Sequence, residues 1–214
     1  MNELYLDYEE VLIGNREALS PFHFIGANPG GINQQKALEC IRFVIEELLE
    51  WDVNEALQKF DGYMIHLMKL ERLADYIEYP AEMGTRDSRY ILSLLYPERI
   101  HLSEKFLIEE LYQKVLDGKA QFPREYFLGQ KGFYRFCVCL CYLISNFRPF
   151  TELEDLYQFL ISPEGRAFLD QYRLRVPMEH LGIDLLKCIQ ELTEEEPHSY
   201  LYFCYYKFQA AYAE

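Results

Sequence analysis

The chain has 214 residues, half of them hydrophobic, and its 35 acidic and 21 basic side chains give a formal net charge of −14. That length and apolar content suffice for a sizeable core, which excludes a disordered chain, and the charge sets the average surface against nucleic acid and anionic membrane. The charge is uneven: residues 1–104 carry 9 basic and 19 acidic side chains, residues 105–175 carry 10 and 9, and residues 176–214 carry 2 and 7. A polyanion would meet least repulsion in the middle segment.

In chain order, Leu4, Tyr8, Val11 and Leu12 share a helical face, and the stretch from Pro21 to Gly31 is loop chemistry with one short apolar run, Phe22 to Ile25, as its strand candidate. Ala37, Leu38, Ile41, Val44, Ile45, Leu48 and Leu49 recur at helical spacing and predict a long helix ending near Trp51. Asp52 with Glu55 has the form of a capping box for the next helix, and Gly62 separates that helix from another over 63–77. A break at 80–84 precedes a short helix from Thr85 to Leu95, and Ser103 is placed to cap a helix stopped by Asp117-Gly118. After a connection at 121–131, the run from Gly132 to Phe147 is apolar all round and predicts a central helix. Thr151 with Glu154 and Ser162-Pro163-Glu164 mark two more starts; a helix over 178–192, an acidic break at 194–197 and an aromatic helix over 199–212 complete the prediction.

The chemistry-bearing patterns are sparse. Gly26 to Gly31 has the glycine spacing of a phosphate loop, but Ile32 and Asn33 stand where a Lys and a Ser or Thr would be needed, so the loop reads as a cap for the long helix. Cys137, Cys139 and Cys141 cannot all share one face of a helix and read as small buried hydrophobes. The six cysteines lie in apolar helical runs, and neither a leader-like nor a spanning stretch is visible, which points to free thiols in a reducing cytoplasm. Glu98 and His101 have metal-bundle spacing without a second copy, and no Ser sits in a nucleophile elbow. Neither cofactor nor metal is expected. Around 122–135, Arg124, Tyr126, Lys131, Tyr134 and Arg135 interleave with Phe122, Phe127 and Phe133, a pattern that suits stacking on single strands or cation–π contact with a partner; its bland alternative is aromatic packing at a helix start.

Two stretches, Gly31 to Leu73 and Gly132 to Leu174, share a Gly-led helix, a break and a second helix, and Ile108 to Gln113 echoes Leu153 to Gln158. The run from Ala37 to Trp51, then Lys69-Leu70 and Leu94-Leu95-Tyr96-Pro97, resembles a small helical repeat of unknown function found in Firmicute and phage proteins. The resemblance implies a bacterial or mobile-element origin and a modular helical architecture; it carries no catalytic residue. The expectation is an all-α protein of about ten helices in two weakly repeated halves, 1–100 and 101–214, packed as one globule. It is a cytoplasmic, acidic protein, read as a non-enzymatic protein-interaction or regulatory module rather than an enzyme. The alternative is a nucleic-acid-associated module of a mobile element that uses the basic aromatic patch at 122–135. No membrane partner is expected, and the oligomeric state is left open.

Overall fold

The computed structural model describes residues 2–148 and 153–181. The predicted Thr151 cap, the continuation of the last helix to 192, the acidic break at 194–197, the helix over 199–212, Cys188, Cys204 and His198 lie outside the described residues. Those described form eleven α-helices and no strand. The chain divides into two compact units, 1–103 and 104–214.

The first unit holds α1 (Glu3–Leu12), α2 (Gly31–Phe43), α3 (Val53–Lys59), α4 (Gly62–Leu67), α5 (Glu71–Ala74) and α6 (Ser88–Leu95). Short polar side chains set most of the starts. Asn2 accepts from the Leu4 amide, Asp61 from Met64 and Asp87 from Arg89, while Asp52 and Glu55 form the predicted reciprocal box. The last short helix therefore starts at Asp87 rather than Thr85. Its core joins Leu4, Tyr8 and Val11 to Ala37, Cys40, Ile41, Val44 and Ile45, and closes with Leu70, Leu73, Ile91 and Leu92.

Three local expectations are corrected. Phe22 to Ile25 is no strand: Pro21–His23 is a single 3-10 turn, capped by Ser20, because the Asn33 side chain takes both backbone groups of Ile25 and supplies the bonds that a strand neighbour would. The helix predicted over 63–77 is broken at Lys69, whose φ of 53° ends α4, and its ammonium crosses to the Val11 and Leu12 carbonyls at the end of α1. The long helix does continue past Phe43, but as a π-helical segment over Val44–Leu48 in which the Leu49 amide bonds to the Val44 carbonyl at 2.9 Å. This extra residue turns the periodicity by one position. Of Leu48 and Leu49, both predicted on the inward face, Leu48 is exposed and Leu49 is half-buried.

The second unit holds α7 (Glu104–Leu116), α8 (Gly129–Phe147), α9 (Leu153–Ile161), α10 (Pro163–Gln171) and α11 (Arg175–Leu181). Within this unit α8 is central, as its all-round apolar character requires: Phe136 to Cys141, Leu143 and Ile144 are all buried. It begins three residues earlier than predicted. Gly132 lies in its second turn, where a Cβ would run into the Phe127 backbone, so the preceding turn can fold directly onto the helix. Ser162 and Pro163 open α10 as the sequence indicates.

One arrangement occurs in both units. In α1, the fully buried Tyr8 donates its hydroxyl to the Met68 carbonyl at 2.5 Å; in α7, the fully buried Tyr112 donates to the Tyr172 carbonyl at 2.8 Å. The acceptor is each time the residue just before a left-handed basic residue, Lys69 at φ 53° or Arg173 at φ 64°, which is followed by a fully buried leucine, Leu70 or Leu174. Each tyrosine feels a buried cysteine of the next long helix, Cys40 in α2 or Cys139 in α8. Both tyrosines also head the same spacing: Tyr8, Val11, Leu12 and Gly14 against Tyr112, Val115, Leu116 and Gly118, with both glycines at positive φ beyond the helix end.

Burial raises the pKa of both hydroxyls above the ordinary tyrosine value, and desolvation pushes the Cys40 thiol from 9.0 up to about 12. Tyr8→Phe and Tyr112→Phe are each expected to lower the unfolding free energy by about 1–3 kcal/mol, since each strands a turn carbonyl; urea denaturation at neutral pH reads this. Groups whose folded pKa is raised contribute stability that is complete below the unfolded pKa and is lost as pH rises through the folded one. The urea midpoint should accordingly fall from about pH 9 upward, where Cys40 ionises in the unfolded chain, and fall more steeply past the tyrosine range. A Cys40→Ala variant should flatten the first part of that decline.

Candidate functional site

The basic aromatic patch predicted at 122–135 is mostly packed. Tyr126 is 3% exposed, and its ring stacks on Phe122 with centroids 5.4 Å apart and meets Phe127 edge-on at 5.0 Å. The Arg135 guanidinium lies over the Tyr126 ring, 4.4 Å from its centroid, and donates to the Tyr126 carbonyl at 3.1 Å. This is a cation–π contact made within the unit. Tyr134 is half-buried, Lys131 is exposed, and Arg124 is exposed beside Glu125, 3.7 Å away. The rings of Phe122, Tyr126 and Phe127 are therefore engaged by their own neighbours, Phe133 and Tyr134 are half-buried against the core, and two of the five predicted residues, Arg124 and Lys131, are exposed.

The glycine loop also serves structure. Asn33, nearly fully buried at the start of α2, bonds the Ile25 amide, the Ile25 carbonyl and the Asn28 carbonyl, and the Gly30 amide donates to Tyr76. Cys137, Cys139 and Cys141 are buried and free of disulfides, and no group of three metal-ligating side chains forms among the described residues. Glu98 and His101 are both exposed.

Two arrangements were not visible in the sequence. The first is a buried carboxylate. Asp7, 8% exposed on α1, accepts from the Arg16 guanidinium, from the Ser20 amide at 2.8 Å and from the His23 imidazole at 3.0 Å, while Lys36 donates to the His23 carbonyl at 2.6 Å. These partners stand 9 to 16 residues away along an irregular loop, so no periodic signal links them. One carboxylate thereby fastens the whole 13–25 connection to α1.

The second is a groove of about 440 Å³ between α2, the π segment and α6. Tyr5 and Phe43 stack at its side with centroids 4.3 Å apart and planes 6° from parallel, Leu38 and Leu94 add half-buried apolar surface, and Leu95 closes it from the core. Glu39, Glu46 and Glu47 line it with one cation, Arg42. That cation is turned to other work: it donates to the Leu95 carbonyl at the end of α6 at 2.7 Å and lies 5.9 Å from the Tyr96 ring. Tyr96 donates to Glu46 at 3.1 Å, and burial together with that carboxylate pushes its pKa up to about 12. The groove is thus apolar and aromatic with an acidic edge. Its sequence signal is masked because the π segment, invisible to a 3.6-residue period, decides where Glu46, Glu47 and Leu48 point.

Fold and surfaces together define a class: an all-α chain of two helical units in which, among the described residues, no helix is long and apolar enough to cross a membrane. Residues 108–195 are similar to a family described as a protein of unknown function, DUF4046, a match that begins in α7 and runs through most of the second unit. No curated protein and no solved structure matches the chain.

Replacing Asp7 by Ala strands the Ser20 amide and removes the anchor of Arg16 and His23. Asp7→Ala is expected to cost about 1–3 kcal/mol and to open the 13–25 connection. Limited proteolysis should then cut first within that loop, and wild-type-like resistance there would refute the anchoring role.

Proposed function

We propose that the chain consists of two diverged copies of one helical unit and acts in the cytoplasm as a non-enzymatic protein-interaction or regulatory module. The observation that carries this reading is the recurrence of one buried frame: a tyrosine on the opening helix, a cysteine on the long helix, and a turn carbonyl that receives the tyrosine hydroxyl ahead of a left-handed Lys or Arg and a buried Leu. Repeated helical units spend their conserved chemistry on the joints of the frame and leave their outer faces free to vary for recognition. On this reading the first unit is a relative of the family matched by the second, too altered at its surface to be matched itself, and the helical-repeat resemblance of residues 37–97 supports the same view. A bacterial or mobile-element source belongs to this proposal.

The strongly perturbed ionisable groups fit it as well. Tyr8, Tyr112, Cys40, Tyr79 and Tyr96 are shifted upward chiefly by burial, which keeps them neutral as packing groups at physiological pH.

The test is an affinity capture from cells of the source organism with the full chain as bait, at low and moderate salt, with and without nuclease. A protein partner retained through nuclease and moderate salt is the expected result. Recovery of nucleic acid, lost on Arg124→Glu with Lys131→Glu, would replace the proposal with the nucleic-acid reading of the 122–135 segment.

A further inference from the structure

We infer that the groove formed by α2, the π segment and α6 binds a basic amphipathic segment of a partner protein, with a large apolar side chain against Tyr5 and Phe43 and flanking Lys or Arg side chains against Glu39 and Glu47. The inference rests on the interaction-module reading and names the chemistry of its partner. Three observations converge. The groove presents a stacked ring pair and two half-buried leucines, Leu38 and Leu94, on a concave surface, which a single helix or extended segment can fill with one or two large side chains. Its charge is one-sided: three glutamates surround it, and Arg42, the cation among its lining residues, has its guanidinium committed to the Leu95 carbonyl. Its carboxylates are not equivalent. Glu46 is held by Tyr96 and Glu39 receives a bond from Gln35 at 3.1 Å, whereas Glu47 is exposed on the π segment with no partner among the described residues.

Charge complementarity then selects the occupant. A second copy of this chain, at −14, would be repelled, and a nucleic acid would meet carboxylates. Residues 1–103 carry 9 basic against 18 acidic side chains, so the surrounding field steers cations toward the groove and adds to the on-rate. The backbone supports the geometry: the π segment that follows Phe43 carries Glu46 and Glu47, and both line the groove.

The experiment is selection of a random peptide-display library on the full chain, followed by fluorescence polarisation with the enriched peptides. Enriched sequences should carry at least two Lys or Arg around an aromatic or aliphatic residue. Their affinity should fall about tenfold or more in Glu39→Lys with Glu47→Lys, yet stay within about twofold in Glu17→Lys with Glu98→Lys, which makes the same charge change outside the groove. Circular dichroism confirms that the variants fold, and Leu94→Ala offers a second, charge-neutral route to weakened binding. Acidic or neutral consensus peptides, no enrichment, or equal losses in the two charge-reversed variants would overturn the inference. If the cellular partner found by affinity capture is retained equally by wild type and by the Glu39, Glu47 variant, the groove assignment fails while the interaction-module reading stands.

Discussion

A tyrosine hydroxyl delivered to a carbonyl at a helix break is the joint on which each unit depends. A chain that reverses direction at the end of a helix must leave carbonyls without helical partners, and burying them costs about as much as a lost hydrogen bond. Tyr8 and Tyr112 each bring one donor to such a carbonyl, on a side chain long enough to reach across the core while filling it with a ring. The reversal then places a leucine, Leu70 or Leu174, fully inside. Lys69 adds a return connection by capping the end of the helix that supplies the tyrosine, so in the first unit α1 and the turn satisfy each other's exposed backbone groups.

Much of the local structure is written in short-range chemistry. Asp52 with Glu55, and Ser162 with Pro163, start helices where their spacing says they should, because a cap is decided by atoms within four residues. The all-α class is legible for the same reason: helical periodicity persists over most of the chain and strand periodicity does not. The break at Lys69 is not legible. Apolar spacing continues through it, and its cause is a set of contacts to residues 57 and 58 positions away. Asp87 starts α6 in place of Thr85 through another local competition, in which the side chain that reaches the Arg89 amide wins.

Candidate sites were less legible than helices. Arg124, Tyr126, Lys131, Tyr134 and Arg135 look like a surface motif in composition, yet a ring beside a guanidinium is equally a good packing unit, and Tyr126 with Arg135 is used that way. Composition does not distinguish the two uses; burial does. Conversely, Glu39, Glu46 and Glu47 read as one more solvated helix face in a chain with 35 acidic residues, and only the approach of α6 and the ring pair turns that face into one wall of a concavity.

The π segment after Phe43 has an evolutionary side. The core positions Ala37, Cys40 and Ile41 keep helical spacing in α2, and Val44 and Ile45 stay buried as the first residues of the wider turn. A single inserted codon at that point re-aims everything downstream by about 100° without disturbing a buried contact upstream, because the extra residue is absorbed by one wider hydrogen-bonded loop. Surface diversification and core retention thereby become separable events in such a helix: a new face arises in one mutational step, where altering the same face by substitution would take several.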